Sequence, residues 1–376
     1  IVSLLVAAKV TLAHREENGA TPLLTACQND HGKIVDLLID AKAPLNQSYA
    51  DGLSPLLISI KHLCEDTVRK LLSEKAAVNQ RKSDGTGALY CAVSSASQSS
   101  YAASVAVYMV SILLKAKASV HDYDKEHGWG PLDIACRCVT AGSHRQRDES
   151  IKMDTEIMNM LISAKADVNH CSKDGSTALF WACESDSVEL VEILLTAKAS
   201  ATNFGKDAPL PLISACKKGN SRVVKLLIQA KASVNQCSKT ASGDGPLHMA
   251  CRRGASSTVE VLIQAKALVN QCTASGDWPL HLACYYRFAE TVEVLISAKA
   301  NVNRFNETGF SPLCIASHQG DTETVRLLLK AKATLNLCSR DGVNALYAAA
   351  QGARADTTLL LLAAKVEVNQ FSDDGF

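Results

Sequence analysis

Neither sign of charge is in excess in this chain. Its 376 residues include 39 basic and 38 acidic side chains, a formal net charge of +1. No global field therefore selects nucleic acid or an acidic membrane surface. Long apolar runs are also missing. The longest, Ser104 to Leu114, is too short to span a bilayer and reads as a buried helix. No signal peptide is recognisable. Catalytic signatures are missing as well: there is no His-Glu-x-x-His, no Gly-x-x-x-x-Gly-Lys and no nucleophile elbow. Cys136, Cys138 and His144 are the nearest approach to a metal site, but the Cys-x-Cys spacing has no partner pair. These absences argue against an enzyme, a resident metal or a cofactor within the chain.

What the chain does have is a period. Ala-Lys-Ala or a close variant recurs eleven times, with the lysine at Lys9, Lys42, Lys75, Lys117, Lys165, Lys198, Lys231, Lys266, Lys299, Lys332 and Lys365. Eight of the ten spacings are 33 or 35 residues, and the other two are 42 and 48. A second landmark leucine keeps step at Leu23, Leu56, Leu89, Leu132, Leu179, Leu212, Leu247, Leu280, Leu313 and Leu346. Self-similarity at this period predicts a stacked solenoid, in which no unit buries its apolar face alone.

Residues 273–305 show how one period becomes structure. Gly276 lies in a turn-rich stretch that reads as a hairpin tip, and Pro279 suits the first turn of a helix because its missing N–H costs nothing there. Leu280, Leu282, Ala283 and Cys284 supply the apolar face of a short first helix. After a break near Arg287, Val292, Val294, Leu295 and Ile296 follow amphipathic helical spacing.

The chain resembles an ankyrin repeat array. The resemblance is carried by Gly245-Pro246-Leu247-His248-Met249-Ala250, by Pro279-Leu280-His281-Leu282-Ala283, and by turns such as Ala164-Lys165-Ala166-Asp167-Val168-Asn169. It implies an all-α repeat solenoid of helix-turn-helix units with short β-hairpin loops. The expected units are 16–48, 49–81, 82–124, 125–171, 172–204, 205–239, 240–272, 273–305, 306–338 and 339–371, preceded by a partial repeat (1–15) and followed by the start of another (372–376). With no initiator Met and no polar cap at either end, the chain is expected to be a piece of a longer protein. The resemblance also implies a structural hydrogen-bonding role for His248 and His281. Trp181, two residues after its landmark leucine and inside the short helix, reads as a core residue.

The chain departs from the family pattern in having Lys where Gly usually follows the second helix. The position is expected to be left-handed, which costs a non-Gly residue about 1 kcal/mol or more. A cation near a helix C-terminus offsets part of this, typically ~0.3–1 kcal/mol. The column reads either as a basic ridge or as a helix-end charge carried along by duplication.

Cysteine numbers 14, yet its placement argues against disulfides. Cys27, Cys136, Cys183, Cys216, Cys251 and Cys284 each fall four residues after a landmark leucine, where the family it resembles usually has a small Ala packed between helices, a place that Cys can fill as a small hydrophobe. Equivalent positions in neighbouring units should lie ~8–10 Å apart, beyond the ~7 Å reach of a bridge. A reducing intracellular compartment is expected, cytoplasmic rather than nuclear. Cys171, Cys237, Cys272 and Cys338, with Tyr123, Phe204, Phe305 and Phe371 in the same register, are expected to pack hairpin on hairpin.

Two adjacent units exceed the period, with extra residues within Ser94–Ser104 and around Cys138–Glu156. They read as loops between the two helices of a unit, either tolerated insertions or a paired recognition element. Residues five and six past each landmark leucine should face the concave side, as the resemblance implies. That register gives Arg137/Cys138, Glu184/Ser185, Lys217/Lys218, Arg252/Arg253, Tyr285/Tyr286 and His318/Gln319. The expected partner-binding residues are Lys217, Lys218, Arg252, Arg253, Tyr285 and Tyr286, with Trp129 and Phe310 as exposed aromatic tips. The expected partner is another protein bound by a monomeric, non-catalytic scaffold. The alternatives are a reader of an anionic ligand, phosphorylated or nucleic acid, and a targeting module of a larger enzyme.

Overall fold

A computed structural model describes residues 12–17, 19–141, 147–202, 208–238, 242–339 and 342–366. Residues 1–11 of the opening partial repeat, His144, Phe204, Phe371 and residues 372–376 lie outside the described residues. Among those described, the chain forms twenty α-helices and no strand, arranged as ten antiparallel pairs from Pro22–Gln28 with Gly32–Asp40 to Ala345–Gln351 with Ala355–Ala363. The chain is a helical repeat solenoid. It divides into two compact units, residues 1–200 and 201–376.

The first helices start where the sequence says they should. Proline opens Pro22–Gln28, Pro55–Lys61, Pro211–Lys218, Pro246–Arg253, Pro279–Tyr285 and Pro312–Gln319. The residue before it often caps the helix, as when Thr21 Oγ1 accepts from the Leu24 N–H at 3.3 Å and Ser311 Oγ from the Cys314 N–H at 3.2 Å. Gly245 has no side chain to do this, and its own N–H donates instead to His248 Nδ1 at 3.1 Å. The structural role expected of His248 is therefore visible.

Within each unit, first helices pack against first helices of the neighbouring pairs and second helices against second helices, giving two layers. The landmark leucines from Leu23 to Leu313 are buried between them, and Leu346 is half-buried. The second helices contribute Val223, Leu227, Val259, Leu262, Val292, Leu295, Val325 and Leu328, all buried. Removing such apolar surface from water is what holds a repeat to its neighbours.

Every described lysine of the period, Lys42 to Lys365, has φ between 62° and 69°. At Lys299 the turn is a Schellman motif: the Lys299 N–H donates to Ile296 O at 3.0 Å and the Ala300 N–H to Leu295 O at 2.9 Å. An asparagine from the preceding pair completes the turn. Asn270 Nδ2 donates to Lys299 O at 3.2 Å, while Asn270 Oδ1 accepts from the Asn301 N–H at 2.9 Å. Asn79, Asn169 and Asn235 make the same two bonds to Lys117, Lys198 and Lys266 and the residues two beyond them.

The connecting loops turn as hairpins but do not become strands. The described ones are closed by a main-chain bond such as Thr273 N–H to Asp277 O at 2.8 Å, and some neighbours are joined by a single bond such as Ala274 N–H to Ser242 O at 3.0 Å. At most one such bond between neighbours is too few to build a ladder.

The two insertions differ from the expected loops. Second helices are nine residues long in eight pairs, but Ser100–Lys115 has 16 residues and Arg147–Ser163 has 17. The first insertion adds the 3-10 turn Ala96–Gln98 and then extends the second helix, which begins under the Ser99 cap. Its sequence carries no Gly or Pro to break a helix, and Ala is the best helix former. The two long helices pack against each other, as neighbouring second helices do elsewhere.

The thirteen cysteines whose side chains the structure describes are all free. Burial pushes the Cys27 thiol up to about 11 and raises those of Cys183, Cys251 and Cys284 as well, which leaves them inert packing groups. The second cysteine column is not uniform. Cys171, Cys237 and Cys338 are half-buried, whereas Cys272 and Phe305 are exposed, so hairpin-on-hairpin packing does not cover the whole column. No helix among the described residues is long and apolar enough to cross a membrane.

Candidate functional site

In residues 201–376 the C-terminal ends of the first helices and the loops beside them enclose a groove of about 590 Å³. Its floor includes Leu282, Cys314, Ile315 and Ala348, and its walls Arg252, Asp277, Tyr285, Tyr286, Phe310 and His318.

The two tyrosines end the helix Pro279–Tyr285, where the chain leaves the buried layer. Tyr285 is 55% and Tyr286 41% exposed, and their rings meet edge-on with centroids 5.0 Å apart. Phe288 faces Tyr286 from behind at 6.3 Å. That ring lies so close to Gly254 (φ 73°) that a Cβ there would meet Phe288 Cδ1 at 2.4 Å. A glycine at this link is what admits the aromatic support.

Arg252 is less available than its register suggests. Its Nη2 lies 3.4 Å from the buried Asp244 carboxylate, and its Nη1 donates to Tyr286 Oη at 3.4 Å. Arg253 is exposed and, like Lys217, makes no ion pair among the described residues; its Cγ lies 3.3 Å from the point where a Gly219 side chain would begin. Lys217 is exposed and Lys218 half-buried at the end of Pro211–Lys218. Phe310 is half-buried in the groove wall, and its carbonyl accepts from His281 Nε2 at 3.1 Å. Since Arg304 O also accepts from Nε2 at 3.1 Å, that nitrogen carries the proton. Burial lowers the His281 pKa to about 4, keeping the ring neutral.

The groove thus brings together Arg252, Tyr285, Tyr286 and Phe310. Lys217, Lys218 and Arg253 are outside its lining, and Trp129 belongs to the other compact unit. Trp129 also corrects the expectation of an exposed tip: it is only 8% exposed. His127 stacks on it at 4.0 Å, and the Arg137 guanidinium lies over its ring at 4.0 Å. Arg137 also approaches Trp181 at 5.3 Å, and Trp181 is half-buried rather than core. Trp129 is large enough to be covered by its own neighbours. Sequence reasoning passed over Asp277, although it sits three residues before Leu280, the position held by Trp129 and Phe310 in their units. It accepts from Asn306 Nδ2 at 3.2 Å. Among the described residues no cluster of His, Cys, Asp and Glu could hold a metal ion.

The family model described as ankyrin repeats (3 copies) matches residues 1–82, 150–238, 212–306 and 304–372, well over half of the sequence. The chain belongs to the ankyrin repeat family. Ankyrin repeats are generally protein–protein interaction modules and non-catalytic scaffolds. The matches leave out 373–376 and the stretch 83–149, which contains the first insertion and the start of the second. No curated protein matches the chain.

Proposed function

We propose that this ankyrin chain is a non-catalytic scaffold that holds a partner protein on the face formed by the ends of its first helices, within ten repeats at the limits given above. The observation that carries this reading is the exposed Tyr285–Tyr286 pair beside a 590 Å³ groove. Aromatics are only 5% of the sequence, so two large exposed rings held edge to face, with arginines alongside, have the composition of an interface centre. The chemistry of the groove favours binding over turnover: its buried histidine is neutral and held by carbonyls.

The test is partner affinity of single variants. Tyr285→Ala should weaken binding by ~2 kcal/mol or more without lowering the melting temperature, because the ring is mostly in solvent. Glu293→Lys, exposed on the second-helix layer, should leave affinity unchanged. The reverse pattern would move the partner to the opposite face. Arg252→Glu is a poor probe, since it sets two carboxylates against each other at Asp244.

A further inference from the structure

Resting on that reading, we infer that the occupant of this face is an extended acidic peptide segment of a partner protein, with one apolar anchor and carboxylates about three and about six residues to one side of it. The anchor site is the groove bounded by Tyr285, Tyr286, Phe310 and Ile315. One pair further toward the N-terminus, Arg253 presents an exposed cation; two pairs away, Lys217 presents another. Neither makes an ion pair among the described residues, in contrast to Arg252.

Two described carboxylates of this face are already engaged. Asp244 is held by Arg252, and Asp277 accepts from Asn306. The face is therefore graded, with free positive charge at one end and exposed aromatic surface beside it. Charge complementarity selects a ligand graded in the opposite sense.

The spacing follows from geometry. Neighbouring packed helices lie ~8–10 Å apart, and an extended chain advances ~3.3 Å per residue. A peptide running along the row thus places about three residues per repeat. Consecutive residues on a helix point in different directions, so Lys217 and Lys218, like Arg252 and Arg253, do not converge on one dianion. That favours separate carboxylates over a phosphate group.

The experiment is selection of a random peptide library, long enough to span three repeats, on the full chain, followed by affinity measurement of the enriched peptides. The expected consensus is Phe, Leu, Ile or Met with Asp or Glu about three and six positions to one side. Lys217→Ala with Arg253→Ala should loosen such peptides roughly tenfold, and Tyr285→Ala roughly thirtyfold. Added salt should weaken the wild type more than the double variant. Peptides that need Tyr285 but carry no acidic residues would overturn the inference and leave the scaffold reading standing. Peptides indifferent to Tyr285 would remove both. Displacement of the peptides by a single-stranded oligonucleotide at lower concentration than by free peptide would assign the cations to nucleic acid and overturn the inference as well.

Discussion

A lysine in left-handed backbone is an unusual choice, and this chain makes it at every described turn after a second helix. The side chain gains a favourable position at the negative end of the helix dipole, but the Cβ pays a steric penalty that glycine would not. Lys299→Gly should therefore leave the fold intact and raise stability by up to ~1 kcal/mol, as read by thermal or urea denaturation. A loss of more than ~2 kcal/mol would show that the side chain does more than end a helix. The left-handed turn was legible because the lysine sits where the family places glycine. The burial of Trp129 was not. Its cover comes from His127, Arg137 and Trp181, and the last belongs to the next helix pair, so no reading of one unit could supply it.

Helix pairs are joined by more than apolar contact. The side chain of Asn270 bonds both an orphan carbonyl, Lys299 O, and the Asn301 N–H of the following turn, coupling one pair to the next. Asn270→Ala should cost about 1–2 kcal/mol, two partly exposed hydrogen bonds at ~0.5–1.5 kcal/mol each. Hydrogen exchange should show the loss concentrated in the turn at Lys299–Asn301. Uniform loss across the chain would mean the asparagine is not a local coupling. The period, the proline starts and the apolar spacing made nearly all the pairs legible, because each is encoded within a single unit. The insertions, expected as loops, are mostly helical where the structure describes them. Ser94–Ser104 is polar enough to resemble a loop, but with no Gly or Pro it continues into helix, which packs against the long second helix of the following pair. Of the candidate face, register singled out Arg252, Tyr285 and Tyr286, which line the groove, and also Lys217, Lys218 and Arg253, which lie outside its lining. It could not reveal that Asp244 engages Arg252, since that depends on side-chain reach across a turn.

At the scale of the molecule, the two compact units carry buried titratable groups of opposite character. In residues 1–200, Asp133 accepts from the Gly130 N–H at 2.9 Å, and burial raises its pKa to about 7, with Asp167, Asp174 and Asp124 adding to the rise. A carboxyl whose folded pKa lies above its unfolded value near 4 favours the fold below about pH 4, and this contribution is lost as pH rises toward 7. In residues 201–376, burial lowers the pKa of His281 to about 4 against the pull of Asp277, and lowers that of His248 between Asp244, Asp277 and Arg252. A histidine depressed in this way supports the fold above about pH 6.5, and that support is lost as pH falls toward 4. Taking the protein from pH 7 to pH 5 should therefore strengthen the first unit through Asp133 and weaken the second through His281, by about 2 kcal/mol in each case at ~1.36 kcal/mol per pKa unit, with His248 acting in the same direction as His281. Hydrogen exchange corrected for intrinsic rate can follow the two units separately. Asp133→Asn keeps an acceptor for Gly130 but no titratable proton, and should flatten the pH response of residues 1–200 alone. Substitution of His281 by Asn should do the same for residues 201–376. If Asp133→Asn leaves the response of its unit unchanged between pH 5 and pH 7, the carboxyl is ionised in the fold, and the argument from its burial fails.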